Sequence, residues 1–518
     1  MTRATDTRKD IAAQTLHDQI CARFRALIAD GRMAPGSRAP SLRALAVELG
    51  VARGTVEAAY DRLIGEGYLH ARGTAGTFVA DRLPQPSAST VPAPAAGIAA
   101  EKASPDVTAV SASARRARPA TSPSTSGTTS PEQPAVQLDG AGPAPLPFQL
   151  GVPALDAFPR KVWARLVAHH ARRMDSLMKP DPFGLPRLRE ALVVYLHRSR
   201  GVEATARQVF VVPGYEPGLA LAVDALLARG DTAIVEDPGY PPTAHLLRRQ
   251  GISPVPVLID GEGLDIATLA PTASAARLAV VTPSHQSPTG VSLGLQRRLA
   301  LLDWAAARDA WIFEDDYDGE YRYHGHPLPA LKSLDRQGRV LYAGTLSKVL
   351  YPGLRLAYVV VPPALVETFE RAARRAPAGG CPSLMQEVVA DFIEQGHFAR
   401  HIKRMRALYG HRRDWLLEAL KPHARLGLSC QQHRGGMHVT IALPAGADDT
   451  ALARQARDAG LAVHALSDWS QLGRHAPALL ASFTNLESPE AATDAVRRLV
   501  AALKLKPLKP VRPVRPSR

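Results

Sequence analysis

Between Leu16 and Ile64 the apolar residues recur at helical spacing. Leu16, Ile20, Phe24, Leu27 and Ile28 fall on one face of a first helix, which Gly31 ends. After the turn Ala34-Pro35-Gly36, Ser41 is placed to cap a short second helix with the stripe Leu42, Leu45, Ala46 and Leu49, stopped by Gly50. A third helix begins near Arg53 and runs through Val56, Tyr60, Leu63 and Ile64 to Gly67. The segments YLHA and TFVA then read as two short strands joined by the turn RGTAG. A short helix, a turn, a longer helix and a glycine-tipped hairpin make the layout of a winged helix-turn-helix.

A different pattern holds from about residue 148 to 505. The runs VFVVP, TAIVED, LAVVTPS, WIFEDDY, RVLYAGT and LAYVVVP are short, branched and apolar, as strands buried on both faces are. Between them lie helical stretches such as GLALAVDALLARG, TAHLLRRQG and LQRRLALLDWAAARDA. This alternation predicts an α/β domain with a mostly parallel sheet covered by helices. Ligands of such sheets bind at the carboxyl ends of the strands. The two patterned regions are separated by a stretch dominated by Pro, Ala, Ser and Thr, with no surviving period. Such a composition buries too little apolar surface to offset its ordering entropy, which predicts a flexible linker. The boundaries are therefore placed at 12–80, 81–147, 148–503 and a basic Pro-rich tail at 504–518.

Composition sharpens this in few places. At 518 residues the chain needs two or three domains. Lys and Arg outnumber Asp and Glu by 63 to 48, a formal +15 that favours a polyanionic partner. The tail KLKPLKPVRPVRPSR carries six basic residues and no acid; a solvated tail and a DNA-binding arm both remain open readings. The three cysteines, Cys21, Cys381 and Cys430, form no C-x-x-C pair, so neither a zinc site nor a disulfide framework is expected. No metal site is expected elsewhere. The charged N-terminus lacks an apolar stretch behind it, and no apolar run reaches bilayer-spanning length, so the expected compartment is the cytoplasm, away from membrane.

Candidate chemistry falls in both patterned regions. The second helix of a helix-turn-helix presents its N-terminal residues to base edges in the major groove. Here these are Arg53, Gly54 and Thr55, with Arg43 on the preceding helix near the phosphates and Arg72 at the start of the wing facing the minor groove. Arg53 suits guanine or phosphate, and Thr55 a phosphate or a thymine methyl; Arg62 reads as a solvated surface charge. In the large domain, polar clusters follow two apolar strands: EDDYDGEY at 314–321 and GTLSKVLYPGLRLAY at 344–358. A lysine alone is weak evidence, because most lysines are surface residues. A strand-end Asp-x-Tyr combined with a Ser-Lys pair suits pyridoxal phosphate. That cofactor needs an amine to hold its aldehyde, a carboxylate at its ring nitrogen, a phenol at its ring hydroxyl, and an arginine with hydroxyls at its phosphate.

The segment PSLRALAVELGVARGTVEAAYDRLIGEGYLHARGTAGTFVA resembles the DNA-binding domain of GntR-family regulators over its full length. The resemblance implies that Arg43, Arg53, Thr55 and the Gly76 wing lie against double-stranded DNA. Ala52 departs from it, standing where the family usually has Ser. From roughly 148 to 500 the chain resembles fold-type I aminotransferases, a fold with a small α/β subdomain beside the large one. Carried over by motif, Lys348 is the lysine joined to the cofactor and Asp315 faces the ring nitrogen. Tyr317 bonds the ring oxygen, Ser347 and Arg355 sit at the phosphate, and Tyr240 stacks on the ring. Tyr215 and Gln286 complete the expected cofactor contacts. Ser347 also reads as a simple cap, and Tyr240 as a packing residue. The loop TPSHQSPTG at 282–290, with its His285-Gln286 pair, is similar to that of the MocR/GabR type. The order of the two halves is the architecture of that subfamily. It implies a transcription regulator whose aminotransferase-like domain serves as a sensor of a small-molecule effector, working as a head-to-tail homodimer at a promoter or operator. A working aminotransferase with an appended DNA-binding domain is the alternative.

Three departures bear on the ligand. Related aminotransferases carry an arginine that clamps the substrate carboxylate, and ALLASFTNL at 478–486 puts Leu480 in that slot. A leucine cannot make a bidentate pair, so an ordinary amino acid is not the expected signal, and pyridoxal phosphate itself or another amine-type effector takes its place. Glu216, in GYEPG, adds a carboxylate at a helix start, where it favours the helix N-terminus. Lys179 stands where the family has a tyrosine that bonds the phosphate across the dimer.

Overall fold

In the computed structural model the described residues lie within 20–80 and 144–507, apart from gaps at 22, 25–26, 29–32, 35, 66–67, 72–75, 175–177, 270–274, 324–328, 377–379 and 431–434. Most of the linker and most of the basic tail therefore lie outside the described residues.

The N-terminal module has the predicted layout. Helical positions within 20–28 bury Ile20, Phe24 and Ile28. The helix α1 (Leu42–Leu49) starts after Ser41, whose Oγ accepts from Ala44 N at 3.2 Å, an N-cap that satisfies one of the free amides of the first turn. The helix α2 (Arg53–Gly65) buries Val56, Ala59, Tyr60 and Leu63 in one core with Phe24, Leu45, Leu69 and Val79. Tyr60 meets the Phe24 ring edge-on at 5.3 Å and donates its hydroxyl to Pro40 O at 2.8 Å. That bond ties α2 to the turn before α1. Strands β1 (Leu69–Ala71) and β2 (Thr77–Val79) pair antiparallel, Leu69 opposite Val79. With its apolar side committed inward, α2 leaves Arg53 and Gly54 exposed at its start.

The large domain is built on an eight-stranded sheet of order β3-β10-β9-β8-β7-β4-β5-β6. Its strands are β3 (Val209–Val212), β4 (Thr232–Asp237), β5 (Ser253–Asp260), β6 (Gly263–Leu264), β7 (Leu278–Val281), β8 (Trp311–Asp316), β9 (Val340–Thr345) and β10 (Ala357–Val360). The central strands β5, β4, β7, β8 and β9 run parallel. Strand β10 is antiparallel to both β9 and β3. Its connection from β9 spans only 346–356, too short for the crossover that a parallel neighbour requires. The expected mostly parallel sheet thus has a reversed strand inside one edge.

Side chains alternate faces as a strand demands. Val209 and Val211 enter a core with Leu188, Leu192 and Leu196 of α4 (Pro186–Arg200), whereas Phe210 and Val212 face Leu219 and Val223 of α5 (Tyr215–Leu226). Helix α3 (Arg160–His170) adds Trp163 and Leu166 to the first of these cores. Each such aliphatic side chain contributes about 1.5–3 kcal/mol on burial. Helices α6 (Pro241–Arg249), α7 (Leu295–Ala307), α8 (Val366–Arg375) and α9 (Ser383–Glu394) complete the two covering layers. A smaller antiparallel sheet of order β11-β12-β14-β13 follows: β11 (Ser429–Cys430), β12 (His438–Ala442), β13 (His464–Ala465) and β14 (Ala478–Ser482). It packs on α10 (His397–Leu420), α11 (Asp449–Asp458) and α12 (Pro489–Leu503) through Met405, Tyr409, Ile441, Leu479 and Leu499. This is the small subdomain. Among the described residues no helix is long and apolar enough to cross a membrane, and no group of acidic, His or Cys side chains is arranged to hold a metal.

Candidate functional site

The parallel strands deliver the site at their carboxyl ends. Asp315, next to last in β8, sits opposite Ala343 of β9, and Lys348 follows in the turn after β9. The Lys348 Nζ donates to Gly151 O at 3.1 Å. Gly151 has a positive φ of 76°, and a Cβ there would lie 2.4 Å from that Nζ, so glycine is what lets the lysine end approach this backbone. Burial pushes the Asp315 carboxyl well above the usual carboxylate range; Asp316, Asp318 and Glu236 push it further, and Lys348 opposes them. A buried carboxyl among other acids gains most from a cation brought to it.

Around the helix start of α5 an anion cradle is laid out. Gly214 has φ 132°, and a Cβ on it would meet the Arg355 guanidinium at 3.1 Å. Arg355 itself is in the left-handed region at φ 50°, capping the short 3-10 turn Pro352–Leu354 and aiming its side chain back over Gly214. Ser347 is buried, and its Oγ has no hydrogen-bond partner. An orphaned hydroxyl, a guanidinium and the free amides at a helix N-terminus together suit a phosphate. Glu216 lies in the first turn of α5, where a carboxylate is favoured by the helix dipole.

On the aromatic side, Tyr240 meets Tyr215 edge-on at 5.6 Å and lies tilted over Trp469 at 5.8 Å. Tyr215 shares a 2.6 Å hydrogen bond with Thr243 and is packed on Phe313. Asp237, at the end of β4, accepts from Ser470 Oγ at 2.9 Å and from Gln471 N, holding the segment beside Trp469 against the sheet. Leu480 is fully buried on β14, in a small apolar cluster with Leu150, Leu466, Trp469 and Ala478 against Tyr240.

The 282–290 loop differs from the expectation in detail. Gln286 gives its amide N–H groups to Glu236, Pro238 O and Ser287 O, while its oxygen accepts from Thr289 N and Oγ1. Its whole hydrogen-bonding capacity is spent on the protein, holding the loop to β4. His285 is the member of the pair that reaches the site, with Nδ1 3.0 Å from the Tyr317 hydroxyl. Sequence reasoning missed that role, although the two residues were singled out together.

In the N-terminal module Arg53 and Gly54 are exposed and Thr55 half-buried. Arg43 lies on α1, with its side chain outside the described residues, and Arg72 lies outside them altogether. Gly76 opens β2 with φ 105°. A Cβ on Gly76 would fall 3.1 Å from the exposed Arg38 guanidinium, so Arg38 and the wing share one surface. The sequence does not single out Arg38, because a bridge to Phe78, distant along the chain, brings it beside the hairpin.

The donor set fits pyridoxal phosphate: an amine at a strand end, a buried carboxyl pushed up by burial, a half-buried phenol, and a cradle with an unpartnered hydroxyl. Comparison with known proteins points the same way. Residues 149–473 match the aminotransferase class I and II family, and residues 16–79 match bacterial regulatory proteins of the gntR family. The chain is 36% identical over 455 residues to the probable rhizopine catabolism regulatory protein MocR of Rhizobium meliloti, covering 87% of this chain and 86% of that protein. It is 31% identical to the pyridoxine biosynthesis transcriptional regulator PdxR of Corynebacterium glutamicum, covering 82% of each. Among solved structures, the α-aminoadipate aminotransferase LysN of Thermus thermophilus, complexed with N-(5'-phosphopyridoxyl)-L-leucine, superposes with a TM-score of 0.63 at 29% identity, over 69% of this chain and 92% of that one.

Proposed function

Because this chain belongs to the MocR/GabR-type subfamily of GntR-family transcription regulators, with an aminotransferase class I and II domain behind its winged helix, we propose that it reports the level of pyridoxal phosphate, or of an amine captured by it, to DNA. It is a DNA-binding regulator with a pyridoxal phosphate-binding domain. The observation that carries the sensing proposal is Lys348 and Asp315 at adjoining strand ends, beside an orphaned Ser347 hydroxyl and the Arg355 guanidinium.

In this reading Lys348 would hold the cofactor, and Asp315, its carboxyl pushed up by burial, would keep the ring nitrogen protonated. Tyr317 donates to the ring oxygen. Ser347, Arg355 and the start of α5 hold the phosphate, and Tyr240 and Tyr215 wall the ring. When bound, the cofactor supplies an aldehyde that captures primary amines. Leu480, buried among Leu150 and Trp469, offers no clamp for a carboxylate, so the signal is the cofactor itself or an amine without that group. The PdxR relative, whose name ties it to pyridoxine biosynthesis, supports the first option. Arg43, Arg53, Thr55, Arg72 and Gly76 carry the operator contacts. The domains span 12–80 and 148–503 on either side of a linker, and the regulator acts as a head-to-tail homodimer in the cytoplasm.

The test is spectroscopic and electrophoretic together. Purified protein should show the visible absorbance of a lysine-held cofactor, lost in Lys348→Ala, and promoter fragments should bind differently with and without added pyridoxal phosphate. A colourless protein indifferent to the cofactor would overturn the proposal. The complete lysine, carboxyl and phenol set also permits aminotransferase turnover; multiple turnovers with one amino donor would favour that reading over a sensor.

A further inference from the structure

Beside Tyr317 lies a small cavity that none of the cofactor contacts above uses. Arg200, Ser284, His285, Asp318, Arg322 and Gly436 line it, and it offers about 30 Å³ to water. That is room for about two water molecules. His285 stands between it and the phenol. Its Nδ1 lies 3.0 Å from the Tyr317 hydroxyl and 3.0 Å from Asp318 Oδ2, with both His285 and Asp318 buried.

The geometry restricts where protons sit. Nδ1 is aligned on the Tyr317 hydroxyl, with Asp318 Oδ2 at the same distance but off that axis; a carboxylate so close favours the tautomer with the ring proton on Nδ1. The Tyr317 oxygen then lies beside an N–H donor, and Ser287 and Asp318 are the phenol's other side-chain partners. The imidazole cannot swing out of this arrangement. A Cβ on Gly436 would lie 2.2 Å from His285 Cε1 and 2.4 Å from Nε2, so the 435–436 backbone closes on the ring's far edge. Gly436 N in turn donates to Tyr321 O at 2.8 Å, fixing that backbone to the segment after β8. The charged and titratable groups facing His285 are Tyr317 and Asp318 after β8, His438 on β12, Arg200 at the end of α4, and Arg322. His438, with its ring 5.7 Å away and Nε2 bonded to Pro288 O at 2.8 Å, is held down at about 4 by burial and stays neutral. Arg200 is already paired with Asp316 at 2.7 Å.

We propose that His285, oriented by Asp318 and pinned by Gly436, is a positioning residue that keeps Tyr317 a hydrogen-bond donor to the cofactor's ring oxygen, and that the adjoining cavity is the water path through which this network exchanges protons. This rests on the reading that pyridoxal phosphate is held by Lys348. The experiment titrates the absorbance of the full-length, cofactor-loaded protein against pH, and measures pyridoxal phosphate affinity, for wild type, Asp318→Asn, His285→Gln, Tyr317→Phe and the double variant His285→Gln/Tyr317→Phe. Asp318→Asn keeps the shape of the carboxylate and guards against misfolding. The midpoint should move by about one pH unit in Asp318→Asn and in His285→Gln. Affinity should weaken by roughly three- to tenfold, the scale of one lost hydrogen bond. In the Tyr317→Phe background, His285→Gln should add nothing, because its effect passes through the phenol. Weaker affinity with an unmoved midpoint would make His285 merely structural and overturn the proposal, as would a further midpoint shift on adding His285→Gln to Tyr317→Phe. A wild type with no cofactor absorbance would overturn the underlying reading instead.

Discussion

Individual carboxyls near the strand ends give the large domain a definite pH signature. Glu236, at the end of β4, is pushed up to about 7 by burial, although bonds from Thr282 and Gln286 pull it back. The folded state therefore binds this proton more tightly than the unfolded chain does. Its neutral form is retained between about 4.5 and 7 while the unfolded chain has lost the proton, so stability falls as pH rises through that window. A shift of this size amounts to about 3 kcal/mol. His438 acts the opposite way: held near 4, it penalises the fold as pH drops from 6.5 towards 4. Glu236→Gln keeps the acceptor for Thr282 Oγ1 and removes the ionisation. We expect urea unfolding of this variant to show stability that declines by about 3 kcal/mol less than wild type between mildly acidic and mildly alkaline pH. The rest of the decline belongs to Glu314, also pushed up to about 7 by burial. Parallel pH profiles for the two proteins would show that Glu236 is not the group responsible.

The turns that end the strands are where the elements make a site, and Gly214 is the sharpest example. Its φ of 132° starts α5 in a conformation that L side chains rarely adopt, and Arg355 fills the space a Cβ would need. Gly214→Ala should leave the far-ultraviolet circular dichroism near wild type while weakening pyridoxal phosphate binding by roughly tenfold, a cost of about 1–3 kcal/mol from strain and a displaced Arg355. Unchanged affinity in a cofactor titration would separate the cradle from the phosphate. Much at this scale was legible beforehand, because it is local. The strands end in polar clusters, Ser41 caps its helix, and the two strands of the hairpin follow the third helix, all as runs of adjacent residues specify. What was not legible depends on residues distant in sequence. The reversal of β10 follows from a connection length measured against a sheet, not from its own apolar pattern. The choice between His285 and Gln286 was made by Glu236 and Pro238, which captured the glutamine amide from almost fifty residues away. Arg38 joins the wing through the pairing opposite Phe78.

A sensor of the proposed kind has to convert occupancy of one domain into affinity of the other, and its charge sets the scale against which that is read. With a formal net charge of +15, binding to any duplex will fall with salt, so comparisons belong at one ionic strength. At that ionic strength Arg53→Ala should weaken binding to a selected promoter fragment by roughly 1–3 kcal/mol and relax sequence preference. Arg38→Ala, lying by the wing rather than at the helix start, should weaken selected and unselected fragments alike and lower the salt slope by about one. An unmoved footprint in Arg53→Ala would place the recognition surface elsewhere. Coupling between the domains carries a stricter requirement. If pyridoxal phosphate changes the affinity for DNA by some factor, DNA must change the affinity for pyridoxal phosphate by the same factor. Cofactor titrations with and without a saturating promoter fragment should therefore give a ratio equal to the shift in the DNA titrations, on the order of 5–150-fold for a typical regulatory coupling. The same ratio should fall to one in Lys348→Ala, whose winged helix is untouched. Ratios of one in the wild type would leave a DNA-binding domain and a cofactor domain joined by chain but not by free energy, and the sensor would be lost.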